Sequence, residues 1–427
     1  MTRRRSWALR AVALRIALRG LVLWLAGVAA VQGQDYLPAP ELVLEAIGQQ
    51  AEVLAADERV AAAQAQARAL AVGSYELEAS LVPQRRRTDY EGEFDEFEVQ
   101  LGRQFRLPGK APLDRRIGAH TRAIAGFERD EAVRQAAQRL LDLWMQWLRA
   151  AALDEEARDQ ERLLQAEHAA LSRQVELGDA ARLDLDLLTA ELAQARAIAV
   201  RSAAALALAR RALSNDFPQI PLPVRAPPLP EPAPLAGDPQ AWSERVVRGS
   251  AELKARQEEA ARQEAAAARA RADQIPDPSI GVRLLDERNG EERSMGLVFS
   301  MPLGGRHRRA VAAAERSAAL ALQRDADAVE RNVVREAHAL VALAGDALAQ
   351  WRAQQAARAA MSAAADRVHR AWELGEAGLA DRLLAERRAR ETAYEELAAR
   401  VDAHEAQLRV RIESRDLWRL PAEDAAR

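Results

Sequence analysis

Several residue types are scarce in this 427-residue chain, and each scarcity excludes something. Cysteine is absent, which excludes disulfides, thiolate metal sites, cysteine nucleophiles and a lipidated N-terminal cysteine. The net charge is only −3, from 61 Lys and Arg against 64 Asp and Glu, so the basic excess typical of nucleic-acid-binding proteins is missing. Aromatic residues make up 4% of the chain and apolar residues 49%. The apolar residues are mostly Ala and Leu, a composition that favours long helices.

Motifs for catalysis and cofactor binding are also lacking. The six histidines are dispersed along the sequence, with no pair at the helical spacing of metal ligands. No phosphate-binding loop of the Walker type occurs. The pair Gly304 and Gly305 is interpreted as a structural turn between a strand and a helix. The sequence therefore predicts a protein that is not an enzyme and that binds no cofactor, metal or nucleic acid.

The N-terminal segment, residues 1–33, is predicted to be an export signal. It begins with several arginines, and an apolar run follows at 21–31 that is too short to span a bilayer as a helix. Small residues then suit a signal peptidase, and we expect cleavage between Ala30 and Gln34. A retained N-terminal anchor is the alternative. No later stretch is expected to be apolar enough for a spanning helix.

The chain is predicted to be a tandem duplication. The string "ELGDA" begins at Glu176 and "ELGEA" at Glu373, while "RLPGK" ends at Lys110 and "MPLGGR" ends at Arg306. These offsets of 197 and 196 residues are nearly the same, which indicates two copies of one unit. A proline-rich segment separates them, either as a flexible spacer or as an ordered belt around the helices. The predicted parts are a first repeat at 34–217, a linker at 218–239, a second repeat at 240–418 and a tail at 419–427.

Each repeat is predicted to have one order of elements: a helical segment, two strands, a long helix, a glycine turn and a second long helix. Period-two alternation of apolar residues indicates the strands, and glycines that can end a helix indicate the turns. The helical segments are expected at 41–72 and 239–274, the strands at about 74–82, 96–107, 279–285 and 294–301, charged loops at about 83–96 and 286–293, and hairpin tips at 176–186 and 373–383.

The second long helix of each repeat is predicted to have a coiled-coil seam, because apolar or small residues recur at alternating intervals of three and four residues. The seam of the second repeat is interrupted by Arg387, Arg390 and His404. The seam of the first repeat comprises Leu185, Leu188, Leu192, Ala195, Ala199, Ser202, Leu206, Ala209 and Leu213.

The four predicted strands cannot close a membrane barrel alone, because their edges would be unsatisfied in lipid. Three copies would supply twelve strands, within the range of natural barrels. The sequence thus favours a homotrimer. A small sandwich domain that caps a coiled coil is the alternative.

With these features the chain resembles the TolC-type outer membrane factors over about residues 40–418. The matching motifs are the tips "LGDAARLDL" from Leu177 and "LGEAGLADR" from Leu374, and the strand-to-helix junctions "QFRLPGK" at 104–110 and "FSMPLGGR" at 299–306. The first junction is similar to the corresponding segment of family members that serve heavy-metal efflux pumps of the cobalt–zinc–cadmium type.

The resemblance implies a mainly α fold with a small β part. Its helices form a tandem-repeat coiled-coil barrel in the periplasm, and four strands per chain contribute to a trimeric 12-stranded β-barrel in outer-membrane lipid. It implies a passive exit duct of a tripartite efflux or secretion system, with a periplasmic adaptor and an inner-membrane transporter, of the RND type or another, as partners. The alternatives are a periplasmic adaptor or a coiled-coil scaffold without a channel.

The resemblance also assigns candidate residues to the tips and to the periplasmic entrance. Asp381 matches an acidic residue that rings the entrance in the family, and Leu384 stands where many members have a second acid, so Asp184 and Asp186 are candidates to contribute instead. Three copies of Asp381 around a narrow entrance would concentrate cations; the alternative is a solvated carboxylate at a helix start. The residues expected to bind the adaptor are Leu177, Gly178, Asp179, Leu374, Gly375 and Glu376, although the glycines also have the purely local role of turning the chain.

Overall fold

The computed structural model describes residues 36–419. The predicted export signal and, apart from Arg419, the predicted tail lie outside the described residues. The elements, in chain order, are α1 (Pro40–Gly48), α2 (Ala51–Val72), β1 (Leu77–Thr88), β2 (Gly92–Gln104), α3 (Lys110–Leu177), α4 (Arg182–Asp216), α5 (Pro239–Gly249), α6 (Ala251–Ala272), β3 (Ser279–Glu287), a 3-10 turn (Arg288–Gly290), β4 (Glu292–Ser300), α7 (Arg306–Glu373) and α8 (Leu379–Glu413).

The two repeats contain matching helices. The long helices α3 and α7 have 68 residues each, α4 and α8 have 35 each, and α2 and α6 have 22 each. The prediction of one helical segment before each strand pair was wrong, since each segment is two helices. In the second repeat the break has a local cause: the Ser250 hydroxyl accepts a hydrogen bond from the backbone N–H of Leu253 at 3.2 Å and caps the new helix.

The four strands form one antiparallel sheet in the order β1-β2-β3-β4. β2 of the first repeat pairs with β3 of the second, from Phe97 opposite Asp286 to Gln104 opposite Ser279. One face carries the alternating apolar side chains, which are largely exposed in a single chain. The exposed apolar members include Leu77, Leu81, Leu101, Val282, Leu284, Met295, Leu297 and Phe299.

The strands extend into segments that the sequence predicted to be loops. β1 continues to Thr88 and β2 begins at Gly92. The apolar alternation ends near Pro83, but opposite charges then face each other across the ladder. Arg85 Nε lies 2.6 Å from Asp95 Oδ1, and opposite charges that face each other across two strands favour their pairing. The sequence pattern could not predict this pairing, because the partners lie on different strands.

Arg103 interrupts the apolar face of β2, and the structure supplies its partner. Its Nε donates a hydrogen bond to the backbone carbonyl of Tyr75 at 2.8 Å. Arg103 also lies opposite Leu77, the first residue of β1, at the end of the sheet next to the helices. A long cationic side chain at that position can keep its charged end in water while its stem covers apolar surface.

The chain divides into two compact units, and the long helices contribute to both. The first unit contains 143–233 and 348–404, with the described residues before 44; the second contains 44–142, 234–347 and the described residues from 405. The core of the first unit includes Leu164, Leu188, Leu192, Ala195, Leu379 and Leu383. The core of the second includes Trp242, Val246, Ala337, Val341, Ala344 and Val410.

The predicted seam of α4 is largely confirmed. Its buried members are Leu185, Leu188, Leu192, Ala195, Ala199 and Leu213, and Glu191 is buried among them. Ser202, Leu206 and Ala209 are half-buried.

Helix α4 is also long and apolar enough, by length and composition, to cross a membrane. The expectation that no stretch after the export signal would be apolar enough for a spanning helix was therefore wrong. Only 17% of the apolar stretch of α4 is buried within one chain. Ala and Leu raise the hydropathy of α4 on its exposed side as well as along its seam.

Candidate functional site

Both hairpin tips are built by the same backbone turn. Gly178, with φ of +83°, follows α3, and Gly375, with φ of +74°, follows α7. The N–H of Asp179 donates to the carbonyl of Gln174 at 2.8 Å. The N–H of Glu376 makes the equivalent bond in the second repeat, also at 2.8 Å. This Schellman arrangement satisfies the last helical carbonyls, and it favours glycine at the left-handed position.

The tips present apolar side chains to solvent. Leu177 is 72% exposed and Leu374 is 75% exposed. Both stand next to the turning glycine, and the acidic residues that follow, Asp179 and Glu376, are exposed too. The structure therefore places the six predicted docking residues on two similar, solvent-facing turns.

The predicted entrance residues lie at the start of the helices that follow the tips. Asp184 is in the first turn of α4, and Asp381 is in the first turn of α8. Asp184 is half-buried and Asp381 exposed; within the described part of the chain neither forms an ion pair. Asp186 lies 3.4 Å from Arg182 Nε on its own helix. The structure thus places Asp184 and Asp381 at equivalent positions of the two repeats.

A buried arginine beside the second tip was missed by the sequence analysis. Arg382 is 4% exposed, and it forms ion pairs with Glu167 on α3 and with Glu386, the latter at 3.0 Å. Its guanidinium carbon lies 4.4 Å from the ring centre of Trp372, a cation–π contact. Leu185 occupies the equivalent position of the first repeat. This difference between the repeats, an arginine in the second where the first has a leucine, is the sequence signal that could have identified Arg382.

The arginines that interrupt the seam of α8 share one buried partner. Glu191 on α4 is 6% exposed. Its carboxylate lies 2.5 Å from an Nη atom of Arg387 and 2.9 Å from one of Arg390. These three residues border a groove of about 720 Å³ between α3, α4 and α8, whose other lining side chains include Ala157, Ala195 and Tyr394. The irregular seam is therefore an ion-paired contact between the two repeats.

A second buried carboxylate joins α7 to α8. Glu396 has no exposed surface, and it accepts hydrogen bonds from Trp351 Nε1 at 2.7 Å, Arg358 at 2.8 Å and Arg400 at 2.8 Å. Burial by itself raises the pKa of Glu396, but the hydrogen bonds from Trp351, Arg400 and Arg358 outweigh it, so the pKa lies below its usual value. The carboxylate stays charged and holds both helices.

The "QFRLPGK" junction is held by the second repeat. Lys110 is buried, and its Nζ lies 2.8 Å from Asp277 and 2.9 Å from Asp273. Tyr75 donates a hydrogen bond to Asp277 at 2.7 Å, and burial together with this bond raises the pKa of Tyr75 to about 12. The motif thus fixes the start of α3 against the segment that leads into β3.

Sequence comparisons identify no relative. No family model matches the chain, and no curated protein matches it. Among the residues that the structure describes, no group of three or more His, Cys, Asp or Glu could hold a metal ion.

Solved structures do match, over nearly the whole chain. A structure of CusC, described as undergoing transmembrane channel formation, has a TM-score of 0.72 at 16% identity and covers 91% of this chain and 95% of its own. A membrane protein from Pseudomonas aeruginosa has a TM-score of 0.73 at 18% identity, covering 88% and 89%. The Campylobacter jejuni CmeC outer membrane channel has a TM-score of 0.69 at 13% identity, covering 88% and 84%.

This chain has the fold of the outer membrane channels. The predicted fold class, with its long helical hairpins and four strands per chain, is therefore confirmed. At these identities the likeness concerns the fold, and the roles of the tip and entrance residues stay predictions.

Proposed function

We propose that this protein is the outer-membrane exit duct of a tripartite efflux or secretion system. Three copies would form a passive channel, with the twelve strands in outer-membrane lipid and the helices in the periplasm. The observation that carries the proposal is the match in fold to outer membrane channels over 88–91% of the chain. The partners would be a periplasmic adaptor and an inner-membrane transporter, of the RND type or another.

The exposed apolar face of the sheet supports a position in lipid. Leu297 is 85% exposed, Met295 77% and Phe299 68%, and they alternate along β4. A contiguous apolar face on a soluble single chain would be an aggregation hazard, whereas in a bilayer it is the outward band of a barrel.

The helical surface supports an assembly of copies. Helix α4 is apolar enough, by length and composition, to cross a membrane, yet only 17% of its apolar stretch is buried in one chain. A long amphipathic helix is stable in water when its apolar side packs against other helices. In the proposed trimer, helices of neighbouring copies would cover this surface.

The tips support docking to the adaptor. Leu177 and Leu374 are large apolar side chains at exposed turns, where a partner can bury them without any rearrangement of the helix ends. We propose that they bind the adaptor together with Gly178, Asp179, Gly375 and Glu376. We propose further that Asp381, with Asp184 and Asp186, forms the acidic ring at the entrance.

We propose that this chain is of the subtype that serves heavy-metal efflux pumps, because its "QFRLPGK" motif is similar to the junction of those family members. In this chain the motif has a structural role at the junction, through Lys110, Asp273 and Asp277. Cargo specificity would then come from the transporter, and the transporter encoded beside this chain would identify the cargo class.

Fractionation of cells that express the full chain tests the proposal. We expect the mature protein in the outer membrane as a trimer that resists detergent until it is heated, and purified protein that conducts ions in planar bilayers. A soluble monomer in the periplasm would contradict the duct and favour the adaptor or scaffold alternative. An outer-membrane trimer without conductance would contradict the channel role.

A further inference from the structure

In the described part of the chain, the two outer strands of the sheet, β1 and β4, each have an unpaired backbone edge. Within residues 36–419, one edge of β1 and one edge of β4 have no strand beside them. In lipid, an unsatisfied backbone N–H or C=O group is strongly unfavourable, and in water an open strand edge pairs readily with other strands. Leu77 and Leu81 on β1 and Phe299 on β4 are each about two-thirds exposed, so both edges border the same apolar face.

The internal duplication provides a template for how these edges meet. β2, at the end of the strand pair of the first repeat, pairs with β3, which starts that of the second. The contact continues past the strands, where the N–H of Phe105 donates to the carbonyl of Pro278 at 2.8 Å. If the same unit recurs around a closed sheet, β4 of one copy meets β1 of another as β2 meets β3.

The equivalent residues at the ends of β2 and β4 can be identified from the helices that follow. Gln104 stands six residues before Lys110, the first residue of α3, and Ser300 stands six residues before Arg306, the first residue of α7. Ser300 is therefore the counterpart of Gln104.

The equivalent residues at the starts of β1 and β3 follow from the two hairpins. In the second hairpin Ser300 lies opposite Ser279. In the first hairpin the register places Glu76 opposite Gln104, one step beyond the last pair of the ladder. Glu76 is therefore the counterpart of Ser279. Because Gln104 lies opposite Ser279 between the repeats, Ser300 of one copy should lie opposite Glu76 of the next.

We infer that β4 of one copy pairs antiparallel with β1 of a second copy in the register that sets Phe299 opposite Leu77 and Gly296 opposite Ser80. The inference rests on the proposed function, since it specifies the contact that closes the barrel. It keeps the exposed apolar side chains of the outward face together, namely Leu77 and Leu81 of β1 with Met295, Leu297 and Phe299 of β4. A shift by one residue would turn all of those on β4 to the other face.

The position of Pro83 fits this register. Proline has no N–H to donate to a ladder, so in sheets it is tolerated at edges and strand ends. The inferred pairing places Pro83 opposite Arg293, next to Glu292, which is the first residue of β4. The proline therefore falls where the ladder between copies stops, and it leaves the pairs from Leu77 to Val82 intact.

Disulfide trapping tests the register, because the chain contains no cysteine of its own. Ser80→Cys combined with Gly296→Cys should give covalent dimers and trimers on a non-reducing denaturing gel after mild oxidation of outer membranes. The bond would have to join two copies. Within one chain three strand spacings, about 14 Å, separate β1 from β4, whereas a disulfide needs Cα atoms within about 7 Å.

The matched controls shift the register by two residues and keep the same face. Glu78→Cys or Val82→Cys, each combined with Gly296→Cys, should remain monomeric on the same gel. A shifted pair that links in preference would overturn the inference. So would a monomer from Ser80→Cys with Gly296→Cys in trimers that are otherwise intact.

A second pair of cysteines in the same register keeps the test valid if the first pair prevents folding or assembly. Glu78→Cys with Val298→Cys lies on the same face and should also link copies if the first pair prevents assembly. Failure of both pairs in assembled trimers would overturn the register. If unsubstituted protein formed no outer-membrane trimer at all, the proposed function would fail instead, so the two failures are distinguishable.

Discussion

Trp351 on α7 donates its indole N–H to the buried carboxylate of Glu396 on α8 at 2.7 Å. The same carboxylate forms ion pairs with Arg358 of α7 and Arg400 of α8. A charge without exposed surface is tolerated only when it is paired and hydrogen-bonded. This node therefore sets one register of the two helices, because sliding α8 along α7 would bury the carboxylate without partners.

Glu396→Gln should destabilise the protein by about 1–3 kcal/mol, since it weakens the charge-assisted hydrogen bonds from Arg358 and Arg400. Glu395→Gln is the matched control, because its side chain is exposed and should change stability by less than about 0.5 kcal/mol. Thermal unfolding of the purified protein measures both. Equal midpoints for the two variants would contradict the role of Glu396.

The stabilising effect of Glu396 should depend on pH. Its folded pKa lies below the ordinary value, so the unfolded chain takes up the proton first as the pH falls. The stabilisation is complete above the unfolded pKa of about 4.5 and is lost as the pH falls through the lower folded pKa. Unfolding midpoints measured from pH 7 to pH 3 should thus fall more for the wild type than for Glu396→Gln; parallel curves would refute the assignment.

Leu297→Lys should prevent accumulation in the outer membrane, whereas Val298→Lys should be tolerated. The two residues are neighbours on β4 and point to opposite faces, with Leu297 on the apolar one. A lysine on the lipid side is unfavourable by about 2–4 kcal/mol near the bilayer centre. Immunoblots of fractionated membranes measure the difference, and equal amounts of both variants would show that this face does not contact lipid.

Leu374→Ser and Leu177→Ser should weaken capture by the adaptor without changing the unfolding midpoint. Both side chains are about three-quarters exposed, so their loss removes little packing within the chain. Leu383→Ser, in the buried core beside the second tip, is a contrasting control that should lower the midpoint. Undiminished co-purification with the adaptor in the double tip variant would exclude the tips from docking.

Asp381→Asn should reduce block of the channel by cations. The carboxylate is exposed in the first turn of α8, and three copies around an entrance would attract cations. Single-channel recordings with a multivalent cation on the periplasmic side measure the effect. Asp346→Asn, an exposed carboxylate on α7 about 40 Å along the helix from its end at Glu373, is the control, and identical block in wild type and Asp381→Asn would remove Asp381 from the entrance.

The sequence by itself determined the order of the main elements and the length of the long helices. Glycine turns, proline positions and periodicity are local signals, so the ends of α3 and α7 and the seam of α4 could be predicted to within a few residues. The duplication was equally visible, because two pairs of motifs recur at almost the same offset.

Only the tertiary structure decided the charged contacts and the full extent of the strands. Glu191 and its arginine partners are nearly 200 residues apart, and their pairing depends on how α4 lies beside α8. The ladder beyond Pro83 likewise depends on charges that face each other across two strands. Single-chain periodicity reports which residues avoid water, whereas an ion pair is a property of two positions that only the folded chain brings together.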